Sequence, residues 1–239
     1  MSTELEGEAR AAYVRNLFGR IARRYDLLNR LMTAGQDRRW RAEVIRRIDL
    51  RPEERLIDIG CGTGDLALEA VRRQPGARVV GVDFTPPMLA IARRRPGAQS
   101  AGWVQADALH LPFADGSFDI VVSGFLLRNV TDLDAALAEQ ARLLKPGRGR
   151  MASLDTTPPL PGPLRPALDF HLKRVIPWLG RWIARDPEAY NYLPNSTQRF
   201  LTAEALAERM QRLGFRQVSF VRRMFGTVAI HSGLRSGPD

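Results

Sequence analysis

A glycine-rich turn is the segment of this chain whose residue types are best suited to binding a ligand. The turn, Gly-Cys-Gly-Thr-Gly at 60–64, follows the short apolar run 56–59, which is typical of a buried strand. Glycine lets the backbone turn tightly and approach a ligand closely, because no Cβ intervenes. A second apolar run, 79–82, ends at Asp83, where βαβ nucleotide sites place an acid on the ribose hydroxyls. These spacings predict a nucleoside-binding half-fold.

Carboxylates beside the turn indicate which nucleoside it binds. A dinucleotide site has the spacing G-x-G-x-x-G and directs a helix N-terminus at a pyrophosphate. Here the spacing is G-x-G-x-G, and the flanking Asp58 and Asp65 would repel a pyrophosphate. S-adenosylmethionine (SAM) offers an ammonium group and a sulfonium to these acids, and a ribose to Asp83. An ordinary strand–turn–helix corner is the alternative, but it does not explain the acid after the second strand. The residues therefore predict a SAM site.

Alternating strands and helices must position these acids. The predicted strands are 56–59, 79–82, a third that ends at Asp107, 119–123 and 151–154, and the predicted helices include 65–73 and 133–144. This alternation predicts an α/β fold, a Rossmann-like, mostly parallel sheet of seven strands with helices on both faces. Ligands bind such sheets at the carboxyl ends of the strands, where Asp58, Asp83, Asp107 and Ser123 fall. Asp107 is suited to accept from the adenine amino group.

One domain spanning 1–239 is predicted, in four parts. These are an N-terminal helical cover at 1–50, a SAM-binding core at 51–155, a helical insertion over the acceptor site at 156–200, and a C-terminal helix and hairpin at 201–239. The cover has its amphipathic helix at 14–32, and the insertion has an apolar helix at 164–183. The last part is predicted as a helix over 202–213 with Thr202 as N-cap, followed by strands 215–221 and 225–233 that close the sheet edge.

Motifs outside the SAM-binding core resemble those of the ubiquinone/menaquinone biosynthesis C-methyltransferases, a family of class I SAM-dependent methyltransferases. They are FGRIARRYDLLN at 18–29 with WR at 40–41, GVDFTPPML at 81–89, DA at 107–108 with LPF at 111–113, LRNV at 127–130, YNYLPNS at 190–196 and VAIHSG at 228–233. The chain departs from the family pattern at Leu126 and Arg148, where the family usually has glycine, and at Asp155, where it usually has glutamate. A leucine at 126 would narrow the acceptor pocket or shift a loop.

The resemblance implies that SAM is the co-substrate and a prenylated quinol the acceptor, with demethylmenaquinol favoured, slightly, by Cys61. The predicted cofactor-binding residues are Asp58, Gly60, Cys61, Gly62, Thr63, Asp83, Phe84, Met88, Asp107, Ala108, Ser123 and Gly124. Three alternatives stay open: another small-molecule acceptor, RNA, and a SAM-fold protein that acts as an interaction partner without turnover.

Carbon methylation of a quinol requires the neighbouring hydroxyl to lose its proton, and a nearby cation favours the resulting phenolate. Arg128 is predicted to stabilise that charge and Asn129 to orient a hydroxyl or a water, as the resemblance also implies. An ion pair at the sheet edge is the alternative for Arg128. Tyr25 is the third predicted catalytic residue, and Asp26, His171 and Tyr192 are further candidates for proton acceptors or pocket walls. His231 is expected to be a core or edge histidine.

Composition limits the remaining classes of function. The 239 residues are 44% hydrophobic, yet no apolar run reaches the roughly 18 residues of a spanning helix. One cysteine and three histidines, widely spaced, predict neither a disulfide nor a metal site. A net charge of +10 is explained first by arginines on solvated faces, and it also fits an anionic membrane surface. The basic runs lack the interleaved aromatics of nucleic-acid sites. A cytoplasmic protein in peripheral contact with the membrane is predicted, without nucleic acid; the oligomeric state is open, and a homodimer is compatible with the chain.

Overall fold

The computed structural model describes residues 7–159 and 200–237, together with residues 162, 165, 170, 174, 196 and 197. Most of the predicted helix 164–183 lies outside the described residues, as do the candidates His171 and Tyr192. The strands are β1 (Arg55–Ile59), β2 (Arg78–Asp83), β3 (Ala101–Gln105), β4 (Ile120–Gly124), β5 (Arg150–Thr156), β6 (Phe215–Arg223) and β7 (Val228–Arg235). The helices described in full are α1 (Gly7–Met32), α2 (Asp37–Arg47), α3 (Asp65–Arg73), α4 (Pro86–Ala92), α5 (Leu133–Leu143) and α6 (Ala203–Arg212).

A single sheet joins all seven strands in the order β3-β2-β1-β4-β5-β7-β6. The first five are parallel, whereas β7 runs antiparallel to both β5 and β6. The seven-stranded, mostly parallel sheet and the final hairpin are therefore confirmed. Because β7 inserts between β5 and β6, β6 forms one edge of the sheet and β3 forms the other.

Side chains that alternate in direction along the strands divide the apolar core into two clusters, one on each face of the sheet. In β4, Ile120 and Val122 pack with α2 and α3 on one face, whereas Val121 packs with α5 and α6 on the other. Side chains of a strand point alternately to opposite faces, so an entirely apolar strand requires cover on both. A third cluster, between α1 and α4, attaches the N-terminal cover to the end of the sheet where the strands terminate.

Local signals explain where several elements begin, and two predicted strands need correction. Thr202 caps α6 as predicted, since its side chain accepts a hydrogen bond from the Ala205 N–H. The third strand does not reach Asp107: pairing with β2 ends at Gln105, and Asp107 bridges to His110 instead. Strand β7 begins at Val228 rather than at 225, because a short 3₁₀ turn occupies Met224–Gly226. Helix α2 lies within the predicted helical cover at 1–50, for which only the helix 14–32 was given bounds, and α4 was not predicted.

Candidate active site

The turn after β1 is held by backbone hydrogen bonds and by Asp83. The Cys61 N–H donates to the Val82 carbonyl at 2.9 Å, which ties the turn to the end of β2. The carboxylate of Asp83 accepts from the N–H groups of Gly62 and Thr85, both at 2.8 Å. The pKa of Asp83 is raised by burial, and these two hydrogen bonds limit the rise. Asp83 thus fixes the turn while each of its oxygens keeps a lone pair for a further donor, as ribose binding requires.

A cleft opens directly above this turn and encloses about 810 Å³ of empty space, open solvent at its mouth included. Its walls divide into two groups. The group around the carboxyl ends of β1, β2 and β4 includes eight predicted cofactor-binding residues, namely Gly60, Gly62, Asp83, Phe84, Met88, Asp107, Ala108 and Gly124. The second group, on α1 and the loop after β4, includes Ala11, Val14, Phe18, Tyr25, Leu126 and Asn129. The structure therefore brings eight predicted cofactor residues and two predicted catalytic residues to one cavity.

Four predicted cofactor residues, Asp58, Cys61, Thr63 and Ser123, lie behind this wall rather than on it. The Ser123 hydroxyl faces Ser153 at 3.2 Å between strands β4 and β5. Cys61 is buried, its Sγ lies beside Gly81, and burial raises the pKa of its thiol well above the ordinary value. Thr63 donates its hydroxyl hydrogen to Asp26 at 2.6 Å, which joins the turn to α1. These residues support the turn from below and from the side.

Asp58 has a buried carboxyl oxygen without a partner among the described residues, and this bears on whether SAM fits beside the turn. It is 1% exposed, and its Oδ2 accepts from the Ala67 N–H at 3.0 Å. Its Oδ1 is buried without a hydrogen-bond partner within the described part of the chain. Burial raises the pKa of Asp58 to about 7, against the opposing charge of Arg41. A buried carboxyl oxygen without a partner, next to the glycine turn, fits a ligand with an ammonium group.

Asp65, the second acid beside the turn, does not serve the ligand in this way. Its Oδ1 accepts from Nη1 of Arg95 at 2.5 Å, and its Oδ2 lies 3.6 Å from Nε of Arg41. Burial tends to raise the pKa of Asp65, but the two arginines outweigh it and hold that pKa below the ordinary value. The expectation that both flanking acids attract the ligand is therefore wrong for Asp65, because protein cations already neutralise it.

The conformation of α1 places Tyr25 over the turn. Its ring lies 3.9 Å from the position that a Cβ on Gly62 would occupy, and it packs edge-on against Phe18 at 5.8 Å between centroids. Burial raises the pKa of the Tyr25 hydroxyl, although Asn29, Arg128 and Arg41 each oppose the rise. At neutral pH the hydroxyl therefore stays protonated, so Tyr25 is able to donate a hydrogen bond but is not a ready base.

Arg128 is buried beside the cleft and does not line it. Its Nη1 donates to Oδ1 of Asp155 at 2.6 Å, and its guanidinium lies 5.0 Å from the centre of the Phe125 ring. The ion pair that was the lesser alternative from the sequence is thus present. Nε of Arg128 is buried without a hydrogen-bond partner among the described residues. A role for Arg128 in charge stabilisation stays a prediction, to be exerted from behind the loop.

Asn129 reaches the cleft because the loop after β4 is tightly bonded. Its side-chain amide donates to the Phe125 carbonyl at 2.8 Å, and its backbone N–H donates to the Leu126 carbonyl at 2.8 Å. Phe125 has a positive φ of 59°, a strained conformation for a residue with a side chain.

Phe125 and the apolar side chains of α1 line the cavity but were not predicted to do so from the sequence. The amphipathic pattern of α1 was the available signal.

Two further expectations concern histidine and metal. His231 is buried in β7, its Nε2 lies 2.9 Å from the Ala203 carbonyl, and burial lowers its pKa. This is the core position expected from the sequence. Within the described ranges, no group of three or more His, Cys, Asp or Glu side chains is arranged to hold a metal ion.

Comparison with known proteins supplies the observation that decides the family. The profile of the ubiE/COQ5 methyltransferase family matches residues 6–235. The chain belongs to the ubiE/COQ5 methyltransferase family. It is accordingly a SAM-dependent methyltransferase. That SAM binds in the cleft above the glycine turn stays a prediction.

Individual relatives agree over nearly the whole chain. The ubiquinone/menaquinone biosynthesis C-methyltransferase UbiE of Desulfotalea psychrophila is 45% identical over 222 residues, which cover 93% of this chain and 90% of that protein. The demethylmenaquinone methyltransferase of Thermus thermophilus is 45% identical over 221 residues, which cover 92% and 100%. A solved SAM-dependent methyltransferase of Thermotoga maritima, a possible histamine N-methyltransferase, has a TM-score of 0.65 at 21% identity and covers 92% of this chain and 99% of that one. At that identity, the likeness concerns the fold.

Proposed function

We propose that this enzyme methylates a ring carbon of a prenylated quinol in quinone biosynthesis, and that demethylmenaquinol is the acceptor that it converts to menaquinol. The names of the two relatives at 45% identity support this substrate class. The cleft supports it as well, because its second group of walls combines apolar side chains with two polar groups, Tyr25 and Asn129. An aromatic ring that carries hydroxyls matches that mixture.

When bound, SAM supplies an electrophilic methyl group; the acceptor carbon forms a bond to it, S-adenosylhomocysteine leaves, and the ring loses a proton. The protein must hold the acceptor carbon at roughly 3–3.5 Å from that methyl group. Phe18 and Leu126 confine the ring, because both present apolar side chains to the cleft. Asn129 offers an amide to one ring hydroxyl or to a water, in an orientation that its bond to the Phe125 carbonyl fixes.

Two groups stabilise negative charge on the reacting ring, one of them neutral and the other cationic. The protonated Tyr25 hydroxyl can donate to a phenolate oxygen, and Arg128 contributes positive potential from behind the loop at residues 125–129. Arg128 is itself partly neutralised by Asp155, so its contribution is smaller than that of a free guanidinium in contact with the oxyanion. The ring hydroxyl loses its proton to solvent at the mouth of the cleft before transfer, and the oxygen is reprotonated when the methylated carbon loses its hydrogen, so that one proton is released overall.

A panel of acceptors tests this proposal. The enzyme is incubated with methyl-labelled SAM and short-chain demethylnaphthoquinols, benzoquinols, unrelated phenols and RNA, and label transfer is measured. We expect transfer to the reduced naphthoquinol and none to its oxidised quinone, because only the quinol can form a phenolate. Comparable transfer to the quinone, or transfer to RNA instead, would refute the assignment.

We also propose that the enzyme works in the cytoplasm, in contact with the anionic membrane surface that holds its acceptor. Among the described residues, no helix has both the length and the apolar character to cross a bilayer. The outer side of α1 exposes Leu27 and Leu31, one helical turn apart, with Arg23 and Arg24 also exposed. Each arginine near an anionic leaflet contributes about 1 kcal/mol, and salt screens this attraction.

Vesicle sedimentation checks the membrane contact. Binding to anionic vesicles should occur at low ionic strength, fade with added salt, and weaken in the double variant Leu27→Ser/Leu31→Ser. Binding that changes neither with salt nor with these substitutions would contradict the proposed surface. A homodimer stays a prediction, which sedimentation velocity in the same buffer checks against the 26.8 kDa of a single chain.

A further inference from the structure

Two consecutive residues of α1 contact the glycine turn, one by a hydrogen bond and the other by its ring. Asp26 accepts a hydrogen bond at 2.6 Å through its Oδ1 from the hydroxyl of Thr63. Tyr25, the preceding residue, has its ring 3.9 Å from the position that a Cβ on Gly62 would occupy. Residues 25 and 26 of the helix are therefore placed against residues 62 and 63 of the turn.

Arg95, in the turn after α4, completes the contact around Thr63. Its Nη1 donates to the Thr63 carbonyl at 3.0 Å and to Oδ1 of Asp65 at 2.5 Å. The same nitrogen lies 3.9 Å from Oδ2 of Asp26. Arg95 thus fixes the backbone of Thr63 while Asp26 fixes its side chain, and Thr63 itself is only 2% exposed.

The rest of the contact that α1 makes near the cleft is apolar. Val14, Leu17 and Phe18 pack with Met88 of α4 in one cluster. Apolar attraction depends on buried area and has no preferred direction, so it holds a helix against its neighbour without fixing its position along the axis. A hydrogen bond is restricted in both distance and angle. The bond from Thr63 to Asp26 is accordingly suited to fix where the residues of α1 stand above the turn.

Asp26 is less well placed for a direct part in the chemistry. Tyr25 is one of the residues that line the cleft, whereas Asp26 is not. The carboxylate of Asp26 is occupied by Thr63 on one oxygen, and its side chain is 27% exposed. The geometry therefore favours a residue that acts through its neighbour Tyr25 over one that accepts a proton from the ring.

We propose that Asp26 is a positioning residue for methyl transfer: by accepting the hydrogen bond from Thr63, it fixes the position of the Tyr25 hydroxyl relative to the glycine turn. The inference rests on the proposed function, in which that hydroxyl donates to the ring oxygen of the acceptor. A displacement of about 1 Å can cost about 100-fold in rate, so a single hydrogen bond that prevents such a displacement is sufficient for a large effect.

The first experiment observes Tyr25 without turnover. The chain has four tyrosines, so enzyme labelled with 3-fluorotyrosine has few ¹⁹F resonances, and Tyr25→Phe identifies the one that belongs to Tyr25. In Thr63→Val, which removes the hydroxyl but keeps the charge of Asp26, this resonance should change in position or width. In Thr63→Ser, which keeps a hydroxyl, it should return to its wild-type position.

The matched control is Thr227→Val, because Thr227 is also buried and its hydroxyl donates to the Met224 carbonyl at 2.8 Å, in the turn before β7. This substitution should lower the Tm and leave the Tyr25 resonance and kcat unchanged. A loss of stability alone therefore does not reproduce the effect expected of Thr63→Val.

The second experiment measures methyl transfer to a short-chain demethylnaphthoquinol. Thr63→Val should lower kcat by about 10–100-fold with little change in KM, because the interaction that it displaces is made in the transition state. In the Tyr25→Phe background the same substitution should have little further effect, since the hydroxyl that it displaces is already absent. Asp26→Asn keeps an acceptor oxygen for Thr63 and should be clearly more active than Asp26→Ala, whereas the two would lose activity equally if Asp26 were the base.

The outcomes separate this proposal from the proposed function. A Tyr25 resonance that is the same in wild type and Thr63→Val overturns the role of Asp26, whether or not the quinol is methylated. A loss of kcat in Thr63→Val that persists in full in the Tyr25→Phe background overturns it as well, and so does equal loss in Asp26→Asn and Asp26→Ala. If wild type methylates no quinol, the proposed function is contradicted, while a resonance that changes in Thr63→Val and returns in Thr63→Ser still supports the positioning of Tyr25 by Asp26.

Discussion

The ion pair between Arg128 and Asp155 should stabilise the fold as well as assist the reaction, and paired substitutions separate these contributions. The two side chains are 6% and 2% exposed and 2.6 Å apart. Removing only one partner of a buried pair leaves an uncompensated charge, which costs about 3–5 kcal/mol. We therefore expect Arg128→Met to lower the free energy of unfolding by that amount, or the unfolding midpoint by roughly 6–20 °C in a chain of this size.

Neutralising both partners should return much of this loss. In Asp155→Asn the amide oxygen can still accept from the Thr156 N–H, which donates to Asp155 Oδ1 at 2.7 Å. The weaker bond from the Arg128 N–H, at 3.3 Å, is lost at a cost of about 1–3 kcal/mol. Arg128→Met/Asp155→Asn should consequently be more stable than the sum of the single losses predicts, by about 2 kcal/mol or more.

Urea unfolding followed by circular dichroism measures the four free energies, and methyl transfer is assayed on the same preparations. Turnover should stay down by about 100-fold in the double variant if Arg128 supports the phenolate. The matched control is Arg209→Met, which breaks a half-exposed surface pair with Asp134 and should change little. Additive losses, with a coupling under about 0.5 kcal/mol, would refute the pair's energetic role. A double variant with full turnover would show that Arg128 acts through stability alone.

Four further predictions concern the turn and its surroundings. Asp83→Ala should weaken SAM binding at least about 10-fold in calorimetric titration, since hydrogen bonds to a charged group contribute about 1.5–3 kcal/mol each; unchanged affinity would exclude the ribose role. Burial raises the pKa of Asp58 from 3.8 in the unfolded chain to about 7 in the folded protein. The ionised carboxylate therefore destabilises the folded state: this cost is absent below pH 3.8, grows as the pH rises from 3.8 to about 7, and is complete above that. Asp58→Asn should thus raise the ligand-free Tm more at about pH 8 than at about pH 5, and an equal gain at both contradicts the shift. Cys61 should resist alkylation in the native enzyme and react after unfolding, because burial raises its pKa; rapid native labelling would be inconsistent with that. Gly81→Ala should destabilise by about 1–3 kcal/mol in urea unfolding, as its Cβ would meet Trp103 at 2.6 Å, and a neutral result would mean that Trp103 can move.

The parts of the site that depend on neighbouring residues in the chain could be predicted from the sequence. Apolar runs that end in the Gly60 turn and in Asp83 indicate two parallel strands, and the carboxyl ends of such strands meet at one edge of the sheet. The N-cap at Thr202 is equally local. These features need no knowledge of which distant residues pair.

The remaining features of the site depend on contacts between residues that are far apart in the sequence. Asp65 was expected to attract the ligand, but it is paired with Arg41 of α2 and with Arg95 of the turn after α4. Likewise, Asp155 neutralises Arg128 from the adjacent strand. Charge in a sequence does not reveal its partner, so an acid or an arginine beside a motif can serve the ligand or the fold equally well.

The contribution of α1 to the cleft could not be predicted from the sequence either. Its amphipathic pattern predicts a buried face, but not that this face forms a wall of the cleft. The bond from Thr63 to Asp26, which anchors α1 to the turn, joins residues 37 positions apart. Such side-chain bonds carry no periodic signal that could be detected beforehand.

Isotope-edited NMR of the product shows whether the methyl group is transferred to a ring carbon. SAM labelled with ¹³C in its methyl group is incubated with the enzyme and a short-chain demethylnaphthoquinol under reducing conditions. We expect one labelled methyl group bonded to a ring carbon, with the chemical shift and carbon couplings of an aryl methyl group. A labelled methyl group bonded to oxygen, or no labelled product from active, SAM-binding enzyme, would contradict it.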